Sequence, residues 1–460
     1  MAVSAFRRHV RIFFGTVLLI LSIWFLSVHN QWLVPSERIH AGVHVNGFKL
    51  GGLSAEEADS ILRKLAEHWE RNLVILLHGE NSWRVTYGEL GIAPDLQKII
   101  DEALAVGNEG SWLSRLRERW HAGKKGWSIG ITWKMEEEQA KEKIHVLTRE
   151  LEVPPQDARL VVKEDDTVEV IPSRPGRKVN LDKALRDLRA LLKASGSNDL
   201  LLLKLETVEV PERISTQDIL NMQIKGLIAS YSTGFNPNNK ERVHNLRLAA
   251  EALNNYLIEP GEIFSFNTVV GPRTAVNGYK EALIIKNREF VPGMGGGVCQ
   301  VSSTLYNAAL RANLSIIERR RHSLPVKYVP LGTDATVAYG LIDLKFQNNT
   351  GGHLLIRTRV DRDRLTVKIF GNPENQPKVT IVSRVIETMP PKVLYKVDTG
   401  LPPGKNLVER EGTPGYKTEV VRIAREGNKV VKKEIISRDI YPPEPAIVRV
   451  PPQKSSDVSN

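Results

Sequence analysis

The stretch Val291-Pro-Gly-Met-Gly-Gly-Gly-Val-Cys-Gln-Val-Ser-Ser-Thr304 joins a run of glycines to the single cysteine of the chain. After it, apolar residues recur at helical spacing at Val301, Leu305 and Ala308, which predicts a helix that begins close to Cys299. A thiol at a helix N-terminus lies near the positive end of the helix dipole, and this favours the reactive thiolate. The alternative is a packed turn of small residues with an inert cysteine.

Length and charge limit what the rest of the chain can be. The 460 residues are enough for about three domains, and we expect a multidomain α+β protein. The net charge of +11 favours an anionic partner, such as nucleic acid, phospholipid headgroups or an anionic wall polymer. Nucleic acid is the least favoured of these, because the basic residues are dispersed and no zinc-finger or helix-turn-helix spacing is present.

The N-terminus predicts a membrane anchor. Arg7, Arg8 and Arg11 precede an apolar segment, residues 12–28, that contains no charged residue. Its length is at the short end of the range for a spanning helix, and no small-x-small cleavage site follows it. We therefore expect residues 1–36 to be a cytoplasmic stub and an uncleaved transmembrane helix. The positive charge before the segment predicts a single-pass cell-membrane protein with a cytoplasmic N-terminus and an exported remainder.

Residues 37–212 carry a weak internal repeat that predicts two related α+β units. In each half a helix precedes a hairpin, and a second helix follows it. The predicted helices are residues 54–71, 95–106, 134–150 and 180–192, and the predicted hairpins are residues 72–87 and 158–172. The mixed charges of Arg115-Leu-Arg-Glu-Arg119 are typical of a solvated helix surface.

Two short motifs in this region resemble those of the YoaR-like peptidoglycan-binding domains. They are Gly42-Val-His-Val-Asn-Gly-Phe-Lys-Leu-Gly-Gly-Leu-Ser54 and Pro175-Gly-Arg-Lys-Val-Asn180. The resemblance implies affinity for cell-wall glycan or peptide, and it implies no reaction.

Residues 213–378 resemble the VanW family through several motifs in order. These are Phe264-Ser-Phe-Asn267, Val270-Gly-Pro-Arg-Thr274, Gly278-Tyr-Lys-Glu-Ala282, the cysteine stretch, and Arg321-His-Ser-Leu-Pro-Val-Lys-Tyr-Val-Pro330. Some members with the Gly-Gly-Val-Cys-Gln motif resemble cysteine L,D-transpeptidases, which cross-link peptidoglycan stem peptides. The resemblance implies that Cys299 and His322 are the functional residues. It also allows a non-catalytic, accessory role like that of VanW in glycopeptide resistance.

The residue types themselves allow a cysteine triad. Cys299 would be the nucleophile, His322 its base, and Asp334 the group that orients the imidazole. His322 could instead be one more cation of the run Arg319-Arg-Arg-His, and Asp334 could be a turn or capping residue. Zinc ligation by the same three residues is disfavoured because no pair has metal-ligand spacing. We expect no metal and no cofactor.

Further residues are candidates for substrate binding. Arg273 could hold a substrate carboxylate bidentately or form a structural salt bridge. The backbone amides of Gly295, Gly296 and Gly297 could donate to an oxyanion. Gln300, Ser302 and Ser303 adjoin the thiol, although the serines could instead cap the helix start.

Residues 379–450 have short alternating segments that predict a β-rich module, and residues 451–460 are predicted to be a disordered tail. Gly400, Gly404, Gly412, Gly415 and Gly427 match the five-glycine (G5) domain of surface proteins. That resemblance implies contact with wall saccharide, or a spacer. Together these features predict a membrane-anchored envelope protein whose partners are peptidoglycan stem peptides and glycan, with anionic wall polymers as a further partner.

Overall fold

The computed structural model describes residues 15–20, 22, 36–195, 200–286, 288–374 and 376–452. The chain divides into two compact units, Met1–Gln156 with Arg174–Glu212, and Asp157–Ser173 with Arg213–Asn460. Most of the predicted anchor at residues 12–28 lies outside the described residues. Within the described ranges, no helix combines the length and the hydropathy that a membrane-spanning helix needs.

The elements mix helices and strands, as the α+β prediction requires. The helices are α1 (Ala55–Trp69), α2 (Leu96–Ala105), α3 (Trp112–Lys125), α4 (Glu137–Thr148), α5 (Leu181–Ala194), α6 (Thr216–Asn221), α7 (Lys240–Leu253), α8 (Phe266–Val270) and α9 (Val298–Arg311), with 3-10 turns at Gly88–Leu90 and Arg149–Leu151.

The strands are mostly short. They are β1 (Val43–Val45), β2 (Phe48–Lys49), β3 (Leu73–His78), β4 (Asn81–Thr86), β5 (Ile92–Pro94), β6 (Trp127–Ile129), β7 (Trp133–Met135), β8 (Arg159–Val162), β9 (Val168–Ile171), β10 (Gly176–Val179), β11 (Leu201–Lys204), β12 (Thr207–Val210), β13 (Gly226–Gly234), β14 (Tyr256–Ile258), β15 (Ile263–Ser265), β16 (Glu281–Lys286), β17 (Glu289–Met294), β18 (Ser315–Glu318), β19 (Lys345–Gln347), β20 (Leu354–Val360), β21 (Arg364–Gly371), β22 (Lys378–Met389), β23 (Val393–Val397), β24 (Leu407–Arg410), β25 (Gly415–Glu426), β26 (Lys429–Tyr441) and β27 (Ala446–Val450).

The first unit contains small sheets covered by amphipathic helices. Helix α1 begins with the predicted cap, because the Ser54 hydroxyl accepts from the Glu57 amide at 3.2 Å and the Glu57 carboxylate accepts from the Ser54 amide at 2.8 Å. The hairpin β3–β4 is confirmed, and β11 pairs with β3 in parallel. Trp69 and Val74 are fully buried in two separate apolar clusters.

The second predicted hairpin is present as β8–β9, but it belongs to the other compact unit. Its Leu160, Val162 and Val168 pack against a cluster that contains Leu355 and Phe370. The two hairpins of the repeat therefore bury their apolar faces in different cores.

The second unit is built around helix α9 and an antiparallel sheet of order β13-β21-β20-β14. The helix predicted near Cys299 is thus confirmed, and it is buried over almost its whole length. Val301, Leu305 and Ala308 are each 0% exposed and pack into the main core of the unit. This burial fixes the direction in which the first turn of α9 presents its side chains.

The C-terminal part of this unit is all β, as predicted. It consists of two three-stranded sheets of order β22-β25-β26 and β23-β27-β24. The Arg422 guanidinium donates to the Leu314 carbonyl at 2.7 Å, and the Ser383 hydroxyl donates to the Leu331 carbonyl at 2.5 Å. The module is therefore hydrogen-bonded to the core around α9 and does not stand free of it.

Candidate active site

The glycine run places Cys299 at the second residue of α9. Gly297 caps the helix with φ of 112°, a conformation that L-residues with a side chain rarely adopt. A Cβ on Gly296 would lie 2.7 Å from the carbonyl oxygen of Ala282 on β16. Any side chain at these two positions would therefore displace the backbone that holds Cys299 at the helix start.

The structure brings Cys299, His322 and Asp334 together. The Cys299 thiol and the His322 imidazole lie near enough for each to shift the pKa of the other, and the thiol donates to the Val337 carbonyl oxygen at 3.5 Å. His322 Nδ1 lies 2.6 Å from Asp334 Oδ2, and the His322 amide donates to the same oxygen at 2.6 Å. His322 and Asp334 are 5% and 1% exposed, whereas Cys299 is partly accessible. This is the order of contacts that a nucleophile, its base and an orienting carboxylate require.

The electrostatics of the site favour a thiolate–imidazolium pair. Burial alone would raise the pKa of the Cys299 thiol, but His322, the Val337 carbonyl and the charge of Arg273 lower it below the ordinary value. Burial alone would lower the pKa of His322, but its bond to Asp334 and the interaction with Cys299 raise that pKa to about 9. Because the two groups are coupled, both shifts describe one shared proton.

Asp334 is held by residues outside the triad. Its Oδ1 accepts from the Tyr441 hydroxyl at 2.5 Å and from Arg319 Nη2 at 3.2 Å. Arg319 also binds Asp439 Oδ2 through Nη1 at 2.6 Å. Burial would raise the pKa of Asp334, but His322, Arg319 and Tyr441 lower it to about 2. Two of these supporting side chains, Asp439 and Tyr441, lie on β26 of the C-terminal module.

We expect Tyr441→Phe to weaken the site modestly. The Tyr441 hydroxyl donates to Asp334 and accepts from the Gly332 amide at 3.0 Å. Its loss leaves the buried Gly332 amide without a partner, which costs about 1–3 kcal/mol. It also removes one of the donors to Asp334 and so raises the pKa of that carboxyl group. The measurement is thermal unfolding together with the pH profile of Cys299 alkylation. Tyr395→Phe, at a position 67% exposed in the same module, is the matched control. Equal behaviour of the two variants would show that Tyr441 does not support the site.

Arg273 packs close to Gly295, in the glycine run before Cys299, and part of its donor capacity is unused. Its Nη1 donates to Asn267 Oδ1 at 2.6 Å, while its Nη2 is buried and has no hydrogen-bond partner among the described residues. Burial lowers the pKa of Arg273, and the nearby Cys299 acts to raise it. Neither Nη1 nor Nη2 of Arg273 binds a carboxylate among the described residues. The structural salt bridge that the sequence allowed is therefore absent from the described part of the chain. A buried donor without a partner is suited to an anionic ligand.

The other candidate residues point into the protein. Gln300, Ser302 and Ser303 are at most 1% exposed. Gln300 binds Thr233, Gly234 and Arg242. The two serines bind the carbonyl oxygens of Cys299 and Ala335. Their contact with substrate therefore stays a prediction, and the geometry gives them the role of joining α9 to the segment that carries Asp334.

The glycines also face protein neighbours. A Cβ on Gly295 would meet the Arg273 side chain at 2.9 Å, and one on Gly297 would meet the Arg242 carbonyl at 2.9 Å. The amide of Cys299 itself has no acceptor among the described residues. An oxyanion role for amides at this helix start stays a prediction. No group of three or more histidine, cysteine and acidic residues in the described ranges is arranged to hold a metal ion.

Comparison with known proteins finds matches in three regions of the chain. Three family models match: "VanW like protein" over residues 241–370, "Putative peptidoglycan binding domain" over residues 83–200, and "G5 domain" over residues 380–452. The uncharacterized protein YoaR of Bacillus subtilis (strain 168) is 34% identical over 234 residues, which cover 50% of this chain and 74% of YoaR.

The chain belongs to the VanW/YoaR-like family. The vancomycin B-type resistance protein VanW of Enterococcus faecalis (strain ATCC 700802 / V583) is 35% identical over 166 residues, or 34% of this chain and 60% of that protein. The match at residues 241–370 contains the whole triad of the VanW domain. The domain composition indicates a cell-wall-associated protein.

Two solved structures match the G5 domain. The IgA1 protease G5 domain is 28% identical, covers 18% of this chain and 98% of its own, and has a TM-score of 0.14. HP0197-G5 is 26% identical, with 16% and 97% coverage and a TM-score of 0.12. The assignment of the G5 domain rests on its family model and on its two β-sheets.

Sequence reasoning missed several residues of the VanW site. Arg319 stands in the basic run before His322, where its sequence context gave no sign of burial. Burial raises the pKa of the Tyr328 hydroxyl, and the charge of the nearby Cys299 raises it further. Asp439 and Tyr441 belong to the G5 domain, and no local pattern connects them with a site more than a hundred residues away.

The peptidoglycan-binding region holds a second feature of interest, a basic cleft. It encloses about 720 Å³. Lys98, Arg189 and Lys193 line it together with polar side chains. Trp133 and Ser195 also line it, and their polar atoms Nε1 and Oγ are buried without a hydrogen-bond partner among the described residues. Two unused donors beside three cations suit a ligand with carboxylate and carbonyl or hydroxyl oxygens.

Proposed function

We propose that the VanW domain is a cysteine acyltransferase that acts on peptidoglycan stem peptides as an L,D-transpeptidase. The observation that carries the proposal is the buried pair of His322 and Asp334, 2.6 Å apart, whose imidazole interacts electrostatically with Cys299 at the start of α9. A buried, charged aspartate behind a histidine is costly unless it is paired, and here it holds the imidazole in one orientation. An oriented, charged histidine is expected beside a reactive cysteine, and an inert cysteine that only fills space in the core has no need of one.

The first step forms a thioester. The Cys299 thiolate attacks the carbonyl carbon that precedes the terminal D-amino acid of the donor stem, and the carbonyl becomes an oxyanion. The Cys299 amide, which has no acceptor among the described residues, is placed to donate to that oxyanion. As the tetrahedral adduct collapses, the His322 imidazolium gives its proton to the leaving nitrogen. The D-amino acid departs, and His322 is left neutral.

The second step forms the cross-link. The amine of an acceptor stem attacks the thioester, and neutral His322 takes the proton that this nitrogen must lose. The new amide bond replaces the carbon–sulfur bond, and Cys299 leaves as the thiolate. The thiolate–imidazolium pair is thereby restored. Asp334 stabilises the imidazolium in both steps and is not itself protonated, because its pKa is held at about 2.

Arg273 would recognise the donor. The terminal carboxylate of the stem belongs to the residue that leaves. Arg273 is near enough to Cys299 for their charges to interact, and its buried Nη2 has no partner among the described residues. A carboxylate placed there would fill an unused donor and neutralise a buried cation. The donor would therefore be a stem with a free terminal carboxylate.

We expect Arg273→Lys to lower kcat/KM by about 10–100-fold, because lysine keeps the charge but loses the two-pronged contact. Alkylation of Cys299 by a small neutral reagent should change little, since the nearby positive charge remains. Arg273→Met removes the positive charge as well, so it should lower both kcat/KM and the rate of Cys299 alkylation. If kcat/KM stays at the wild-type value in the lysine variant, Arg273 does not bind the donor carboxylate.

We further propose that the basic cleft holds wall material while the VanW domain acts. Lys98 and Lys193, with Arg189 paired to Glu137, give the cleft the positive charge that suits stem-peptide carboxylates or anionic wall polymers. The arginines that precede residues 12–28 support a single-pass anchor with the remainder of the chain outside the membrane. Anchor and cleft together would keep the enzyme between membrane and wall.

The proposal is tested with the full chain in detergent and purified muropeptides with tetrapeptide stems. Wild type should yield cross-linked dimers and free D-amino acid by mass spectrometry, and Cys299→Ala should yield neither. Retention of the variant on insoluble peptidoglycan serves as the control for folding. Wall binding by both proteins with no product from either would contradict the acyltransferase and favour the non-catalytic accessory role.

A further inference from the structure

Helix α3 turns its apolar side chains outward. Trp112, Leu113, Leu116 and Trp120 are 55%, 59%, 45% and 62% exposed. Their spacing places them on one face, because helical residues four apart lie above one another. The sequence alone indicated a solvated, charged surface for this helix. The structure instead exposes two tryptophans and two leucines side by side.

The orientation of α3 is fixed by its polar face. Arg119 is 8% exposed and donates to the Gly107 carbonyl at 2.7 Å and to Asn108 Oδ1 at 3.0 Å. A Cβ on Gly107 would lie 2.5 Å from the Arg119 side chain. A surface helix of a soluble domain normally buries its apolar stripe. Here the helix is held by a buried arginine, so the apolar stripe stays outside.

The charge around the exposed face is positive. Arg117, Lys124 and Lys125 are exposed on the same helix, whereas Glu118 is its only acidic residue. Tryptophan and leucine on one face with basic residues beside them are typical of helices that lie in the interface of an anionic bilayer. A protein partner would not require basic residues along the border of the patch.

The fold also connects α3 to Ser36, the first described residue after the apolar N-terminal segment. The Ser36 amide donates to Asn108 Oδ1 at 3.0 Å, and Asn108 Nδ2 donates to the Ser36 carbonyl at 2.9 Å. The same Asn108 accepts from Arg119 of α3. The chain that follows the apolar segment 12–28 is thus tied to the base of this helix.

We propose that α3 lies in the headgroup layer of an anionic bilayer, the one that holds the N-terminal segment. Trp112, Leu113, Leu116 and Trp120 enter the interface, and Arg117 and Lys124 contact lipid phosphates. The proposal rests on the proposed membrane anchoring. It adds a second, peripheral contact, which sets the orientation of the peptidoglycan-binding region on the membrane.

The test uses the full chain in vesicles of phosphatidylcholine and phosphatidylglycerol. In a Cys299→Ser background, a single new cysteine is introduced as Leu113→Cys or as Val146→Cys and labelled with an environment-sensitive fluorophore. Val146 on α4 is 57% exposed and Leu113 is 59% exposed, so the two labels are matched in accessibility. Quenching is measured with iodide in the water and with doxyl groups on the lipids.

We expect the label at position 113 to be shielded several-fold from iodide and quenched by the lipid, and the label at position 146 to show the reverse. Arg117→Glu with Lys124→Glu should return position 113 to iodide. Equal iodide quenching at both positions in chains that float with the vesicles overturns this inference alone. Shielding at 113 without lipid quenching also overturns it, because a second copy or another segment of the chain would then cover the helix. Chains that do not float contradict the anchoring itself and this inference with it.

Discussion

Replacing His322 with glutamine is expected to lower turnover at pH 7 by about 10²–10⁴-fold, the usual contribution of a positioned acid and base. Glutamine can fill part of the space but cannot carry the proton. Burial would then raise the pKa of the Cys299 thiol without the opposing charge of His322, which is the main group that lowers it. The variant therefore has less thiolate at pH 7, and it has no group to protonate the leaving nitrogen. Both effects lower turnover.

The measurement is the rate of Cys299 alkylation between pH 5 and 10 beside turnover of tetrapeptide muropeptides. Wild type should already react fast near neutral pH, and His322→Gln should react fast only at higher pH. His244→Gln provides the control, since His244 is exposed on α7 and binds the Gly278 carbonyl at 2.8 Å. If His322→Gln alkylates at neutral pH like wild type, His322 does not activate the thiol.

Asp334→Asn is expected to be as damaging, with turnover lower by about 10³–10⁴-fold, because the asparagine amide cannot hold the imidazole in the same tautomer. The carboxylate accepts from His322, Arg319 and Tyr441. Its loss leaves a buried arginine less well paired, and breaking a buried ion pair from one side costs about 3–5 kcal/mol. The variant should therefore lose both activity and stability.

The pH dependence of unfolding separates the two groups. Asp334, whose pKa falls to about 2 in the folded chain from 3.8, contributes stability that is present above pH 3.8 and is lost as pH falls towards 2. His322, whose pKa rises to about 9 from 6.5, contributes stability that is present below pH 6.5 and is lost as pH rises through 9. Asp334→Asn should weaken both dependences, because each group depends on the other.

Thermal unfolding of wild type and Asp334→Asn across this pH range is the measurement. Asp361→Asn is the matched control, because Asp361 forms a surface ion pair with Arg359 at 2.9 Å and is half exposed. Surface pairs of this kind contribute about 0–1 kcal/mol. An Asp334→Asn profile that overlays that of Asp361→Asn would contradict a buried, charged Asp334.

Local chemistry was enough to predict the triad members and several elements. The glycine run, the apolar spacing after Cys299 and the Ser54 cap are all encoded within a few residues of where they act. Residue type also suggested His322 and Asp334 as partners, although sequence spacing could not place them beside the thiol. Their meeting depends on how the segment of residues 319–337 packs on α9.

Other features depend on packing between distant segments. Tyr441 and Asp439 reach the site because β26 packs near the Gly332–Asp334 turn, and nothing in their local pattern indicates this. Gln300 and Ser302 lie within three residues of Cys299 in the sequence, yet on α9 their side chains are buried in the core. For α3, the mixed charges indicated a solvated polar surface, but Arg119 is buried and the apolar Trp112 and Trp120 are exposed.

The central claim is that Cys299 carries an acyl group, and intact-protein mass spectrometry tests it most directly. The full chain is incubated with a tetrapeptide donor in the absence of an acceptor amine, quenched in acid and digested to locate the modified residue. The proposed mechanism predicts an added mass equal to the donor minus its terminal D-amino acid, on Cys299, lost with hydroxylamine and absent from Cys299→Ser. An unmodified Cys299 in wild-type chain that is folded, binds peptidoglycan and has a free thiol would contradict it.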